Sequence, residues 1–585
     1  METFVFGQNR TVIGQECGVP FSLISFIIRS HHKRNKIAKA EIDRDEGWYT
    51  VKKLKKFTVA GMSTVMLASV VLTGCSTDQP TGQTQGADTP KEVQGLNTAG
   101  FPIMKENISL KFVARKNPQH GEWKDMLVLQ EYEKMTGMKI EYETYPVQNF
   151  SERKNLLFAS NELPDAFINS HISADEQLKF GTTGMLIPLE GLIEKYAPNI
   201  KALFNQYPDA RKTVTAPDGH IYALPTVVTQ AAARTQKMWI NQQWLDKAGL
   251  KPPTTTDELY KTLKAFQEIN AGTDAVPFSI DYASVGDGNL FANNPSMRGL
   301  TGVWGLPLQM GTTGGIENGK FKMWLDSDRL KDFVVYLNKL YKEKLLDNNS
   351  FTLDIAKVNA MTKSNKLGLT FNQTDVGMDN SIYKAVAYPK STFGDPIVNS
   401  SAVARDLGSF AITNKNKYPE ATMRWIDYFY GDEGSSFLRF GIEGKTYTKD
   451  ASGNLAYTDE IMKDSRGYQV AIGHFTIWPG AGAPHVINEK NAVAVTGPAI
   501  MAGQKVIEPF MPKNMYGAPL MDPAIKDKYT SMTSDINKYV RETISKFIVE
   551  GVTDDKWVQY KQTLEKLGIK EYEGYFQKAL DNYDK

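Results

Sequence analysis

The sequence predicts an α/β fold with mostly parallel sheets. Three observations carry this. Short alternating apolar runs give way repeatedly to helical stripes from Ile108 onward. Capping residues stand at the junctions. Hydrophobic residues make up 41% and charged residues 23% of the 585-residue chain, an ordinary globular balance that excludes a wholly disordered protein.

Folding is expected to start near Ile108. Ile108, Leu110 and Phe112 alternate as a strand, and a loop follows from Ala114 to His120. A helix carries Trp123, Met126, Leu127 and Met135 and stops at Gly137. Ile140, Tyr142 and Thr144 alternate as the next strand, and Ser151 starts a helix through Leu156, Leu157 and Ala159. Leu163 to Ile168 reads as a short buried strand entering the polar loop Asn169–His171, and Ser173 with Glu176 forms a capping box. Strands alternating with helices indicate a parallel sheet, whose ligands bind beyond the carboxyl ends of the strands. The loops at 115–117 and 169–171 lie at such ends.

A second α/β region follows. Trp239 to Asn241 leads into a helix at 242–247 stopped by Gly249. Thr255 and Glu258 form a capping box before a stripe of Leu259, Leu263, Phe266 and Ile269. Ser327 caps a helix with Leu330, Phe333, Val334, Leu337 and Leu340 on one face. Pro419 opens another through Met423, Ile426 and Tyr430, and helices are expected near 523–549, 553–566 and 570–582.

The N-terminal region reads differently. Lys52, Lys53, Lys55 and Lys56 precede 16 uncharged residues, Phe57 to Leu72. A spanning helix needs roughly 20. The order of basic cluster, apolar run and small residues is that of a secretory signal. It ends in Leu72-Thr73-Gly74-Cys75, which resembles a bacterial lipobox, so cleavage is expected before Cys75 with a diacylglycerol on its thiol. A signal at 51–74 makes residues 1–50 an expected wrongly assigned extension, with translation starting at Val51; the alternative is an unusually long n-region. Residues 75–105, rich in Ser, Thr, Gln, Gly and Pro, are an expected flexible tether. Beyond residue 74 acidic residues slightly outnumber basic ones.

Charge and motifs exclude several functions. With 68 basic and 66 acidic residues there is no electrostatic case for a nucleic-acid partner. Two cysteines, Cys17 and Cys75, exclude a disulfide scaffold and a four-cysteine zinc site. There is no His-Glu-x-x-His and no Gly-x-Ser-x-Gly. Gly441 to Thr446 ends like a phosphate loop, but Arg439 stands where its first glycine belongs. Asp287 and Asn289 could begin a calcium loop, yet its twelfth position is Arg298. No cofactor or metal is expected. What remains is an aromatic-rich body suited to a polar ligand, whose hydroxyls must be satisfied on binding.

Four stretches carry a family resemblance. They are Leu157-Phe158-Ala159-Ser160 with Leu163-Pro164-Asp165, Asp218-Gly219-His220-Ile221-Tyr222-Ala223-Leu224-Pro225, the Trp239–Phe266 segment, and Gly441-Ile442-Glu443-Gly444 with Tyr447. In this order, behind a lipobox, they resemble family 1 extracellular solute-binding lipoproteins of Gram-positive ABC importers, in the long oligosaccharide-uptake branch. The resemblance implies a periplasmic-binding-protein-like fold, two α/β lobes with a hinge and an interlobe ligand cleft. It places 106–230 plus about 401–440 in the N-terminal lobe and 231–400 plus about 441–585 in the other. Crossovers are expected near 226–236 and 401–410. It implies a monomer at the outer face of the membrane, a carbohydrate ligand, permease subunits as partners and no catalysis. A surface sensor and a glycan-acting enzyme remain as alternatives. Some relatives carry a calcium loop after the helix equivalent to 256–269; the stretch 270–277 here is short and poor in acids, so none is expected.

Seven candidate ligand residues follow. Trp304 and Trp478 lie in Gly/Pro-rich loops, where stacking on a sugar competes with packing. Trp239 has the same two readings, with core favoured. Arg115 and Asn169 follow strands at the ligand edge, against solvated-loop roles. Glu443 and Tyr447 lie in the branch motif, where a structural turn competes with ligand contact.

Overall fold

The structure, a computed structural model, describes residues 94–583 apart from 287, 452 and 493–495. The proposed extension, signal, Cys75 and most of the tether lie outside the described residues. The body begins earlier than expected. Leu96 pairs with Met104, and Ile103 is fully buried in the first core, so residues 96–104 belong to the body and not to a tether. Phe101, Ile103 and Met104 are the apolar signal for this, concealed by the polar run before them.

The chain builds the first lobe from β1 (Ile108–Lys116), β2 (Met138–Pro146), β3 (Ala166–Ile168) and β4 (Leu224–Val228). The helix Leu127–Thr136 ends as expected at Gly137, which adopts φ 70°. The next helix runs from Val147 to Ser160, starting before Ser151. Ser173 and Glu176 exchange both bonds of the capping box. The chain then crosses to the second lobe through β5 (Lys237–Asn241), β6 (Val276–Phe278), the hairpin β7 (Gly314–Glu317) and β8 (Lys320–Met323), β9 (Leu367–Asn372) and β10 (Tyr383–Val386). It returns by β11 (Ala404–Ile412) to the first lobe. There it adds the hairpin β12 (Tyr447–Lys449) and β13 (Leu455–Tyr457) and the short β14 (Val486–Ile487). A final passage leads to helices Pro498–Ile507, Lys526–Glu550, Asp554–Lys566 and Ile569–Tyr583. The last three lay their apolar faces on the second core.

The first sheet has the order β14-β4-β11-β3-β1-β2, with only β11 antiparallel to its neighbours. The second is β10-β5-β9-β6, with only β5 reversed. The two reversed strands are those that enter a lobe from the other one. A strand leaving the hinge must run opposite to strands that deliver their carboxyl ends to it.

The expected division at 441 does not hold. Tyr457, Ile461, Ile472, Trp478 and Val486 pack into the first core, and β14 pairs with β4, so the first lobe keeps the chain to about 487. That pairing joins residues more than 250 apart, which local periodicity cannot reveal. Three passages connect the lobes, at 229–236, 398–403 and after 487. Val228 N–H donates to Val403 O at 2.8 Å, Ser401 N–H to Arg234 O at 2.9 Å and Thr229 N–H to Ile487 O at 2.8 Å. Fully buried Lys237 donates to the carbonyls of Ala232, Thr235 and Gln373, tying the first passage to the second lobe. The second crossover starts near 398 instead of 401, because Ala404 already pairs with Val227.

Candidate functional site

A cavity of about 330 Å³ lies where the passages leave the first lobe. The first lobe supplies Arg405, Asp406, Arg439, Tyr468, Trp478, His485 and the Gly480–Ala483 loop. The passages add Ala232, Ala233 and Thr496, and the second lobe adds Gln373, Thr374 and Ile500.

Local backbone irregularity aims the charged groups. The register of β11 against β4 shifts between Arg405 and Phe410, and Asp406 takes φ 50°. Such a bulge re-aims side chains, and here Arg405 and Asp406 line the cavity. Gly408 permits it, since a Cβ there would overlap the backbone of Ile172. Ser409 Oγ donates to Asp406 O at 2.6 Å and closes the turn. Arg405 Nε lies 3.9 Å from Asp406 Oδ2, and neither atom has a hydrogen-bond partner.

His485 Nδ1 donates to Ala483 O at 2.9 Å, leaving Nε2 as a buried acceptor without a partner. Burial, reinforced by Arg439, pushes its pKa down to about 3, so the ring is neutral. Trp478 lies over Arg439, with the guanidinium carbon 4.4 Å from the ring centroid.

Arg115 and Asn169 sit one layer behind the cavity. Arg115 Nε donates to Asn169 O at 3.3 Å, and its terminal nitrogen donates to Ala481 O at 3.1 Å and to His171 Nε2 at 2.5 Å. Asn169, fully buried at φ 54°, donates from Nδ2 to Arg115 O at 2.9 Å. Together they brace the 479–483 loop. A Cβ on Gly482 would overlap both His171 Nε2 and Asn169 Oδ1, so the loop depends on glycine there. Burial lowers the pKa of Arg115, partly offset by Asp406.

Of the seven candidates, Trp478 alone lines the cavity. Trp304 is 1% exposed in the second core, packs on Phe333 and Tyr336, and donates from Nε1 to Asp332 at 2.8 Å. Its flanking Gly302 is pressed on the backbone of Ile397, so the loop-like context marks close packing. Trp239 is fully buried and donates to Asn372 O at 3.1 Å. Glu443 is exposed on a turn bridged to Tyr447, which packs on Phe440; neither lines the cavity. Arg405, Asp406, Arg439 and His485 line the cavity without any local sequence signal that marks them. Arg439 resembles an ordinary basic residue in the last turn of helix Asp432–Phe440, and Asp406 depends on a bulge.

Among the described residues no group of three or more His, Cys, Asp or Glu side chains is placed to hold a metal, and no helix is long and apolar enough to cross a membrane.

The family model for bacterial extracellular solute-binding proteins matches residues 117–435. The fructooligosaccharide ABC transporter substrate-binding protein FusA of Streptococcus pneumoniae is 29% identical over 557 residues, covering 90% of this chain and 99% of FusA. The structure of FusA with kestose superposes with a TM-score of 0.63 at 28% identity, over 81% of this chain and 99% of that one. A solute-binding protein of Bifidobacterium longum infantis, described as binding HMO, shares the fold with a TM-score of 0.69 at 23% identity, over 82% and 99%. The periplasmic-binding-protein-like architecture expected from the sequence is the one found. This chain belongs to the bacterial extracellular solute-binding protein family.

Proposed function

We infer that the protein captures a carbohydrate, an oligosaccharide, between its lobes and delivers it to the permease of an ABC importer. Cys75 carries a lipid that holds the monomeric protein at the outer face of the membrane. The observation that carries the reading is the interlobe cavity with unpartnered buried atoms of both kinds, donors on Arg405 and acceptors on Asp406 and His485. Such groups are costly unless a ligand satisfies them. Hydroxyls both donate and accept, so a sugar meets all of them, and the Trp478 ring offers an apolar edge. FusA, a relative that matches over 90% of this chain, is by its name a fructooligosaccharide substrate-binding protein, which supports the same class.

Asp406 is the one carboxylate among the cavity's described lining residues. Glycoside hydrolysis generally needs a pair, so the geometry favours binding over turnover. Ligand then shifts the population toward the closed lobes.

Isothermal titration against a panel of glucose-, galactose-, mannose- and fructose-based oligosaccharides, with peptides and other non-glycan solutes beside them, tests the reading. At least one should bind with thermal stabilisation. A panel in which only peptides or other non-glycans bind would remove the carbohydrate assignment. Globomycin treatment of the native host tests the anchor: the reading requires accumulation of the uncleaved precursor.

A further inference from the structure

We propose that the cleft selects a sugar carrying an anionic substituent, with Arg439 as the residue that reads it. This rests on the carbohydrate reading above.

Arg439 is 4% exposed on the last turn of helix Asp432–Phe440 and lines the cavity. Its Nε donates to Asn491 O at 3.2 Å. The guanidinium fork has four more N–H donors, and none has a protein partner among the described residues. No described carboxylate lies within ion-pair distance of it. Burial pushes its pKa below the ordinary value; Tyr457 and Tyr468 oppose this, and the neighbouring Arg405 cation adds to it. Trp478 covers one face of the cation. The helix C-terminus adds partial negative charge but not a full counter-charge.

A buried guanidinium without a counter-ion is strongly disfavoured. The cavity's own carboxylate does not supply one, because the cation within ion-pair distance of Asp406 is Arg405, 3.9 Å away and not hydrogen-bonded to it. Arg405, Arg439 and Asp406 are the charged residues of the described lining, so one positive charge is left over. A ligand with a single carboxylate or sulfate balances it. The planar fork matches such a group with two parallel bonds, roughly twice as strong as neutral ones. A neutral hydroxyl presents a single oxygen, not two side by side, and leaves the charge uncompensated. Closure of the second lobe over the site lowers the local dielectric and sharpens the preference.

The test is calorimetric titration of the full-length protein with matched sets: a neutral oligosaccharide, its uronic-acid counterpart and its sulfated counterpart, across the sugar types above. One anionic form should bind about tenfold or more tighter than its neutral match. Its affinity should fall as NaCl rises from about 0.05 to about 0.5 M. Which anionic form wins distinguishes carboxylate from sulfate. Arg439→Gln should abolish the preference and the salt dependence. Should that variant unfold, the wild-type salt dependence still decides. A neutral sugar bound as tightly as both anionic forms, with no salt dependence, overturns the proposal and leaves carbohydrate capture standing. Failure of every saccharide to bind overturns the reading beneath it as well.

Discussion

On the first-lobe wall of the cleft stand three charged side chains, a neutral histidine and a tryptophan, and several of their polar atoms lack partners. On the second-lobe wall stand Gln373, Thr374 and Ile500. The three candidate tryptophans divide the same way. Trp239 and Trp304 have their indole N–H groups bonded inside the second lobe, whereas Trp478 lies over a charge at the cavity. Under the proposed function, this contrast gives recognition to the first lobe and enclosure to the second. A ligand would engage the first lobe in the open protein and the second only on closure.

The largest break in this comparison is expected from Trp304→Ala. Emptying a fully packed site costs about 3–5 kcal/mol, and Asp332 would lose its indole donor. Thermal unfolding should shift sharply downward, while ligand affinity of the folded fraction stays near wild type. A large affinity loss without destabilisation would place Trp304 in recognition and dissolve the division.

Acid should break the lobes unequally. All five histidines among the described residues, at 120, 171, 220, 474 and 485, belong to the first lobe. His120 Nε2 donates to Pro479 O at 2.8 Å, and Nδ1 accepts from Trp123 Nε1 at 3.2 Å, which fixes the neutral ring behind the 479–483 loop. Burial pushes its pKa down to about 4. A depressed folded pKa means stability that is complete above the ordinary value of 6.5 and is lost as pH falls towards 4. The loss is roughly 3 kcal/mol for a shift of this size. Unfolding followed between pH 7 and 4 should show at least this slope, and His120→Gln should reduce it, leaving the part that buried His485 contributes over the same range. An unchanged slope would assign the acid sensitivity to other groups.

Legibility followed the range of the interactions. The caps at Ser173 and Ser327 and the stop at Gly137 are set within a few residues, and each stands where the sequence placed it. The ownership of 441–487 depends on β14 reaching β4, and the aim of Asp406 on a bulge whose partner strand is far away in sequence. Asn169 follows β3 as expected, whereas Arg115 lies within β1, which runs on to Lys116 instead of giving way to a loop at Ala114. Their side chains are consumed by each other and by the loop at 481. What a sequence cannot easily reveal is which polar atoms are left without partners, since that follows only after every other bond has formed.

Asp406→Asn probes the first-lobe wall with almost no change of shape. It removes a charge-strengthened acceptor, worth about 1.5–3 kcal/mol in binding, so affinity should fall about 10- to 100-fold with unfolding little changed. Glu443→Gln is the control with the smallest expected effect. Its side chain is exposed on the turn bridged to Tyr447 and lines no part of the cavity. Surface changes of this kind stay within about 0.5 kcal/mol. Titration of both variants side by side therefore sharpens the boundary of the site. A comparable affinity loss in both would extend the recognition surface out along the first lobe to the branch-motif turn.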